Sequence, residues 1–488
     1  MNEGLFLAIG YGVFTLYSVG ILFLGILLET KTGLSETVCR KITHISSAFL
    51  WVICQAFFGC TIHWIILNIL GTVALGVFTL SSKFTAFQRA DADKSYGLFY
   101  FGLSTAVVAM VCYFVDPDLY PYAGITYFCL ALGDGFAPIV ARLAGKHNVE
   151  IMPHKTVWGS VSVFLFAFLS AFVYSTLFDM QLDVVFLLSV AALTCITEFY
   201  GAKGADNLFI EFLVFGYLML YHYGLVSLGL QIVLIASPLL AGLAIYTKAM
   251  AVSGGICAFC LFALVGFFGK DLVPVLFISL LFLVSTVVVV IGKKIKAKRR
   301  EASEQSKPRT AKQVFAVGLL ALVALAVYYF TDNVIFYYVF FLALTEQIAD
   351  SVASDIGSLT KRANVSILTF RPVAKGISGG VSLLGTGSAF ISSFVLMGIP
   401  LALGKCSVTV YLILAAMAFA GTLVDSLVGA LAQSLYECVE CKQLIEVDCH
   451  CGTSAKLVKG FRIIDNIAVN HISGLITCCL GLVLFYTL

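Results

Sequence analysis

Charge is what this 488-residue sequence has least of: 12% of it is Asp, Glu, Lys or Arg, against 60% hydrophobic residues and a mean hydropathy of +1.01. That scarcity excludes a soluble globular domain, of which about a quarter is ordinarily charged, and leaves a polytopic membrane protein. The net charge of +3 is too small to call for a nucleic-acid partner. Long polar stretches are missing too. Only 293–312 (KKIKAKRREASEQSKPRTAK) interrupts the apolar blocks at length. It reads as a solvated linker inside the second half, with some attraction to anionic headgroups. A basic leader is also lacking. Glu3 is the only charge before the apolar run Leu5–Leu28, and that run is too long for a signal-peptide core, so a retained span is expected. Cysteine is plentiful at 15, but mostly inside apolar runs, where a thiol acts as a small hydrophobe.

The apolar runs predict an all-α polytopic membrane protein with about sixteen transmembrane helices (14–16) of roughly 20 residues each. Lys and Arg are nearly absent from the loops at Asp116–Tyr120 and Thr331–Asn333. They gather instead at Arg40/Lys41, 83–94, 146–155, Lys203, Lys248, 293–312, 361–375 and 442–462. With the N-terminus outside, all of these fall on one face, which the positive-inside pattern makes cytosolic.

The stretch Leu132–Ser160 (LGDGFAPIVARLAGKHNVEIMPHKTVWGS) organises the first half. Asp134 sits in an apolar run, where a carboxylate is costly and by default functional. Arg142, Lys146, His154 and Lys155 follow it, among Gly133, Gly135, Gly145 and Gly159. Acid for Mg²⁺, cations for phosphate oxygens and glycines for close backbone approach together suit a nucleotide polyphosphate. The plainer reading is a basic loop beside a solvated Asp.

A repeat lies underneath. Asp350–Ser393 again runs acid, small residues, glycine, basic loop, Lys/Gly/Ser cluster, then a helix of small and apolar residues. Asp134 answers to Asp350, and Lys155 with Gly159-Ser160 to Lys375 with Gly376, Ser378, Gly379 and Gly380. Glu198 answers to Asp425, and Asp206-Asn207 to Asp465-Asn466. Two halves, 1–215 and 216–488, are therefore expected as a parallel repeat about an axis along the membrane normal.

In the first half Asp134, Glu198, Asp206 and Asn207 are expected around Mg²⁺. Lys155, Arg142 and Ser160 supply the phosphate side, and His44 a base at the acceptor hydroxyl, with Arg40 and Lys41 beside it. In the second half the same logic selects Glu346, Asp350, Ser354, Asp355, Lys375, Ser378, Asp425, Asp465 and Asn466. Gly376, Gly379, Gly380, Ser382 and Gly385 suit an N–H nest for an anion, or close helix packing. Cys438, Cys441, Cys449, His450 and Cys451 form a C-x-x-C…C-H-C run in a polar loop, a candidate structural Zn²⁺ site with the four cysteines as ligands. Palmitoylated or reduced thiols are the alternative.

GDG-x-A (Gly133–Ala137), Gly145-Lys146, HKTVWGS (His154–Ser160), TEF…GADN (Thr197–Asn207) and RKITH (Arg40–His44) resemble the CTP-dependent phytol and dolichol kinase family, over roughly residues 1–215. The resemblance implies that CTP phosphorylates an isoprenoid alcohol at the cytosolic face, with Lys155, Thr156, Gly159 and Ser160 as the CTP-binding part. The second half, roughly 220–488, is similar to the phytyl-phosphate kinase family at Ala349–Gly357, Gly376–Thr386, Asp425–Gln433 and Ile463–Asn470. Asp355 departs from it by standing where Glu is expected, which keeps the charge and shortens the reach. Together the halves resemble a fusion of two consecutive kinases. The first makes a prenyl monophosphate and the second its diphosphate, with the bilayer holding the amphiphilic intermediate. The competing readings are a lipid cytidylyltransferase of the phosphatidate type, with a similar metal-and-CTP arrangement, and a secondary transporter. Acids clustered at one face, not at the midplane, count against the transporter.

Overall fold

A computed structural model of the chain describes residues 3–32, 34–80, 96–152, 155–201, 204–298, 308–360, 364–373 and 377–487. The chain divides into two compact units, Met1–Val226 and Ser227–Leu488.

The first unit runs α1 (Glu3–Lys31), α2 (Glu36–Phe57), α3 (Ile62–Leu80), α4 (Gly97–Phe114) and α5 (Tyr120–Phe128). A π-helical turn, Cys129–Asp134, joins α5 to α6 (Gly135–Leu143). A short hairpin, β1 (Glu150–Met152) and β2 (Lys155–Thr156), leads into α7 (Val157–Leu177), α8 (Val184–Tyr200) and α9 (Ala205–His222). The second unit runs α10 (Leu228–Tyr246), α11 (Val252–Phe268), α12 (Val273–Lys298), α13 (Ala311–Thr331) and α14 (Val334–Gly357). Then come β3 (Asn364–Ser366), β4 (Pro372–Val373) and β5 (Gly380–Val381), paired in the order β4-β3-β5. They are followed by α15 (Leu383–Ala402), α16 (Val408–Ala432), strands β6 (Leu435–Glu437), β7 (Leu444–Ile445), β8 (Cys449–His450), β9 (Thr453–Ser454) and β10 (Lys456–Lys459), and finally α17 (Asn466–Thr487).

The protein is an integral membrane all-α protein. Among the described residues 11 helices are long and apolar enough to cross a bilayer, and three shorter apolar ones, Ile62–Val77, Val184–Tyr200 and Val252–Phe268, stand beside them. The remaining two of the sixteen apolar helices expected are α2 and α9. Helices α2 and α9 carry Arg40, Lys41, His44, Asp206 and Glu211, and these polar groups dilute an otherwise spanning run.

One rod is central to each unit. In the segment Pro117–Leu143 and in α14, 67% of the most apolar window is buried, against 11% in α1. Both rods carry candidate acids. In the first unit Ile125, Leu130, Phe186, Leu187, Ile210 and Leu218 are fully buried around the rod; in the second Phe277, Leu281, Leu325, Phe340 and Phe341 are. Lipid tails offer helices no hydrophobic incentive to associate, so small residues must bring the backbones together. At Gly102 of α4 a Cβ would lie 2.9 Å from the Thr72 Cα of α3, and the Thr72 hydroxyl donates to the Gly102 carbonyl at 2.6 Å.

Around each rod the same succession recurs. The rod is followed by a small β element, then a helix packed back on the rod (α7 or α15), its partner (α8 or α16), and a last helix (α9 or α17). That last helix packs on the helix preceding the rod, α9 on α4 and α17 on α13. The units differ between the last two helices. Residues 201–204 suffice between α8 and α9, while strands β6–β10 are inserted between α16 and α17.

Candidate functional site

In the first unit the π-turn re-aims the end of the rod, as such turns do at functional positions. Asp134 is buried, at 4% exposed. The Lys41 Nζ of α2 donates to its Oδ2 at 2.5 Å, and the His44 Nε2, one turn further along α2, lies 3.8 Å from the same oxygen. The His44 Nε2 is buried with no hydrogen-bond partner among the described residues. Lys155, at the start of β2, reaches the last turn of α8 and donates to both the Glu198 carboxylate and the Glu198 carbonyl at 2.5 Å. Asp206, in the first turn of α9, packs on Gly201, where a Cβ would meet its Cβ at 2.5 Å. It lies within electrostatic reach of Asp134, Lys41 and Lys155. Three carboxylates, two lysines and a histidine from five elements thus converge at one end of the helices. The oxygen donors are those a hard divalent cation takes, so Mg²⁺ fits this set.

Other sequence candidates point elsewhere. Arg142 is exposed, and its guanidinium donates to the Ser35 hydroxyl at 2.9 Å, between α1 and α2. The Asn207 amide donates to the Gly97 carbonyl at 2.9 Å, tying α9 to the start of α4. Thr156 is the N-cap of α7, accepting from the Gly159 N–H at 3.2 Å, and a Cβ on Gly159 would come within 2.9 Å of that hydroxyl. The Ser160 carbonyl accepts from the Cys195 thiol at 3.3 Å. His154 lies outside the described residues.

Beside this cluster is a cavity of about 610 Å³, counting the open space at its mouth, in the range of small-molecule sites (about 300–1,000 Å³). Its lining is mainly apolar and includes Trp51, Trp64, Leu67, Phe101, Val108 and Tyr127. Phe101 meets the His44 ring edge-on at 5.5 Å, so the cavity adjoins the polar cluster. Glu211, 2% exposed, also lines it and accepts from the Ser104 hydroxyl at 2.5 Å. Sequence reasoning passes over Glu211, although an acid in the middle of an apolar helix is a usable signal.

In the second unit an open cleft of about 1010 Å³, solvent at its mouth included, lies against α14, α15 and α16. Asp350, Ser354, Ser378, Gly379, Gly380, Ser382, Gly385, Asp425 and Asn466 line it, nine of the sequence-selected residues. Asp350 is within electrostatic reach of Asp425, Glu346 and Asp355. The Ser473 hydroxyl donates to the Asp425 Oδ2 at 2.8 Å. Glu346 is fully buried and accepts from the Gln347 amide at 2.7 Å. Gly379, at φ +80°, packs so closely on α16 that a Cβ would lie 2.3 Å from the Ala430 Cβ. Ser382 caps α15 through the Gly385 N–H at 3.1 Å.

Asp355 is not part of the cleft's lining. Its carboxylate is 3.9 Å from the guanidinium of half-buried Arg309, whose pKa desolvation lowers and Asp355 raises. Asp465 is exposed and caps α17 through the Ala468 N–H at 2.9 Å. Lys375 and Gly376 lie outside the described residues. Glu446, which no sequence pattern singles out, also lines the cleft. Its carboxylate accepts from the Ser378 N–H at 2.6 Å and from the Gln433 amide at 2.8 Å, and burial pushes its pKa up.

In the β insertion Cys438, Cys441, His450 and Cys451 place their donor atoms within 4.8 Å of one another. Cys449, expected as a ligand, is not in this group, and His450 takes its place. Successive side chains of a strand alternate in direction, so β8 turns one of Cys449 and His450 toward the thiols and the other away.

The chain is 26% identical over 206 residues to the phytol kinase of Synechocystis sp., an alignment covering 41% of this chain and 86% of that protein. It is 30% identical over 139 residues to Protein PGR of Arabidopsis thaliana, covering 26% of this chain and 47% of that one. No solved structure matches the chain. The model of the integral membrane protein family DUF92 matches residues 235–478, which contain the cleft and the cysteine cluster. The chain therefore belongs to the integral membrane protein family DUF92.

Proposed function

We propose that this protein is a membrane kinase that phosphorylates an isoprenoid alcohol of the phytol, geranylgeraniol or farnesol class. The observation that carries the reading is His44. Its unpartnered Nε2 faces Asp134 at 3.8 Å, and its ring contacts Phe101 of the apolar cavity. A group so placed stands where a lipid chain ends and a phosphate cluster begins. The cyanobacterial phytol kinase relative supports the substrate class.

In this reading CTP is the donor. The acceptor hydroxyl oxygen attacks the γ-phosphorus, a new O–P bond forms, and the bond to the bridging oxygen breaks, releasing CDP. His44 takes the hydroxyl proton at Nε2. Lys41 and Lys155 leave their carboxylate partners for phosphate oxygens. Asp134, Glu198 and Asp206 would hold Mg²⁺, which when bound neutralises charge on those oxygens. The cluster lies on the cytosolic face, with the N-terminus outside.

The second unit adds the next phosphate. Asp350 and Asp425 would hold its metal, with Asn466 beside them, and the N–H groups of the Ser378–Gly380 loop would take phosphate. A monophosphate oxygen attacks a second γ-phosphorus, giving the prenyl diphosphate and CDP. The intermediate stays in the bilayer.

The test is label transfer in the purified protein with Mg²⁺ and phytol, farnesol or geranylgeraniol. Label on the γ-phosphate of CTP should enter lipid. Label entering from the α-phosphate, with release of pyrophosphate, would make the protein a cytidylyltransferase instead. No transfer from either position, and no thermal shift with CTP, would point to a transporter.

A further inference from the structure

We infer that Cys438, Cys441, His450 and Cys451 bind a structural Zn²⁺ that clips the β insertion shut and holds Glu446 against the Ser378–Gly380 loop. The inference is independent of the kinase reading.

The donor spacings suit a tetrahedral zinc site. With Zn–S about 2.3 Å and Zn–N about 2.0 Å, a tetrahedron sets sulfur atoms roughly 3.8 Å apart and nitrogen roughly 3.5 Å from sulfur. The His450 Nδ1 lies 3.4 Å from the Cys441 Sγ and 3.2 Å from the Cys451 Sγ. All four donor atoms fall within 4.8 Å of one another, and no two of the thiols are joined as a disulfide. The turn is shaped for this. Lys442, at φ +59°, closes the C-x-x-C loop by donating its N–H to the Cys438 carbonyl at 3.1 Å. Cys451, at φ +53°, brings its sulfur beside the ring of its neighbour His450.

Without a metal this segment has little to hold it. Strands β8 and β9 are two residues each, every residue of β10 is exposed, and β7 contributes only Leu444 and Ile445 to the sheet β10-β6-β7. So small an apolar core does not fix a loop, whereas a zinc site contributes folding free energy outright. The residue after β7 is Glu446. The metal therefore fixes the strand that delivers the one carboxylate bonded to the Ser378 N–H at the cleft.

The experiment is metal analysis of the full chain, purified in detergent without chelator, with hydrogen exchange of residues 377–382 as the second readout. The expected result is one zinc per chain, retained by Cys449→Ser and lost from Cys441→Ser and Cys451→Ser. Cobalt exchanged into the parent should show thiolate-to-cobalt absorption, weakened in His450→Ala. Stripping the metal should speed exchange at residues 377–382 at least tenfold, with the core of α14 unchanged. Absence of stoichiometric zinc, or loss of metal in Cys449→Ser with retention in Cys451→Ser, overturns the site. Unchanged exchange after stripping overturns its role in placing Glu446.

Discussion

Replacing Lys155 with Met removes one cation from the first cluster and keeps its length. The Lys155 and Glu198 side chains are 16% and 9% exposed, with 2.5 Å between Nζ and Oε1. At an effective dielectric constant of about 20 that pair is worth about 7 kcal/mol gross. Desolvation of the two ions cancels most of it, so the intact pair adds little net stability. Breaking it is another matter, because Glu198 is left buried and unpaired, at about 3–5 kcal/mol. At roughly 2–4 °C per kcal/mol for a unit of this size, the thermal inactivation midpoint should fall by roughly 6–20 °C. Glu198→Gln added to Lys155→Met removes the orphan charge and should restore most of that loss. Catalysis should not follow. A lost donor at the developing charge costs about 10²–10³ in turnover, and the double variant should be at least that slow, because it lacks the Lys155 cation and the Glu198 carboxylate that would help hold Mg²⁺. The assay pairs inactivation midpoints in one detergent with CTP-dependent phosphorylation of geranylgeraniol. A Lys155→Met protein as stable and as fast as the parent would refute both the burial argument and the phosphate role.

Two further outcomes are expected. Gly379→Ala meets a φ of +80° and the Ala430 Cβ at 2.3 Å. It should cost about 1–2 kcal/mol from backbone conformation alone, more from the clash, and slow the second phosphorylation, with partial rescue by Ala430→Gly. The second concerns Asp116, in the turn before α5. The Asp118 N–H, the Tyr223 hydroxyl and His222 hold its carboxyl below the usual range. A depressed carboxylate stabilises the fold above its unfolded pKa, near 4, and loses that contribution as pH falls through its lowered value. Exchange protection at the α9 C-terminus should therefore drop in acid below about pH 4. Asp116→Asn should abolish that pH dependence.

The cost of burying charge makes part of the site legible in the sequence. Asp134, Glu198, Asp350 and Asp425 stand out because a charge in an apolar run must have a reason, and each is drawn into a cluster or cleft. Side-chain direction is not legible in the same way. Arg142 and Asn207 have the right chemistry and the right place along the chain, yet their side chains close local gaps at Ser35 and Gly97. Thr156 and Ser382 are expected at phosphate, but the structure shows them as N-caps, a local need that sequence spacing expresses equally well. Lys41 and His44 read in the sequence as a basic helix start with a possible role at the acceptor. Their meeting with Asp134 depends on the π-turn that rotates the rod's end, which no periodicity announces. Glu446 is invisible in the sequence because a carboxylate in a polar loop costs nothing on its own. The loop's strand pairing brings it to the cleft. The exchange of His450 for Cys449 has the same origin, since strand alternation decides which of two neighbours faces a metal.

The central claim is a division of labour between two sites. Its most direct test is mass spectrometry of the products formed from geranylgeraniol, CTP and Mg²⁺ by Asp134→Asn and Asp350→Asn proteins. The account predicts that Asp134→Asn forms no monophosphate yet still converts added geranylgeranyl monophosphate to the diphosphate. Asp350→Asn should accumulate monophosphate and make no diphosphate. Parent-like products from both variants, or loss of both steps in each, would contradict it.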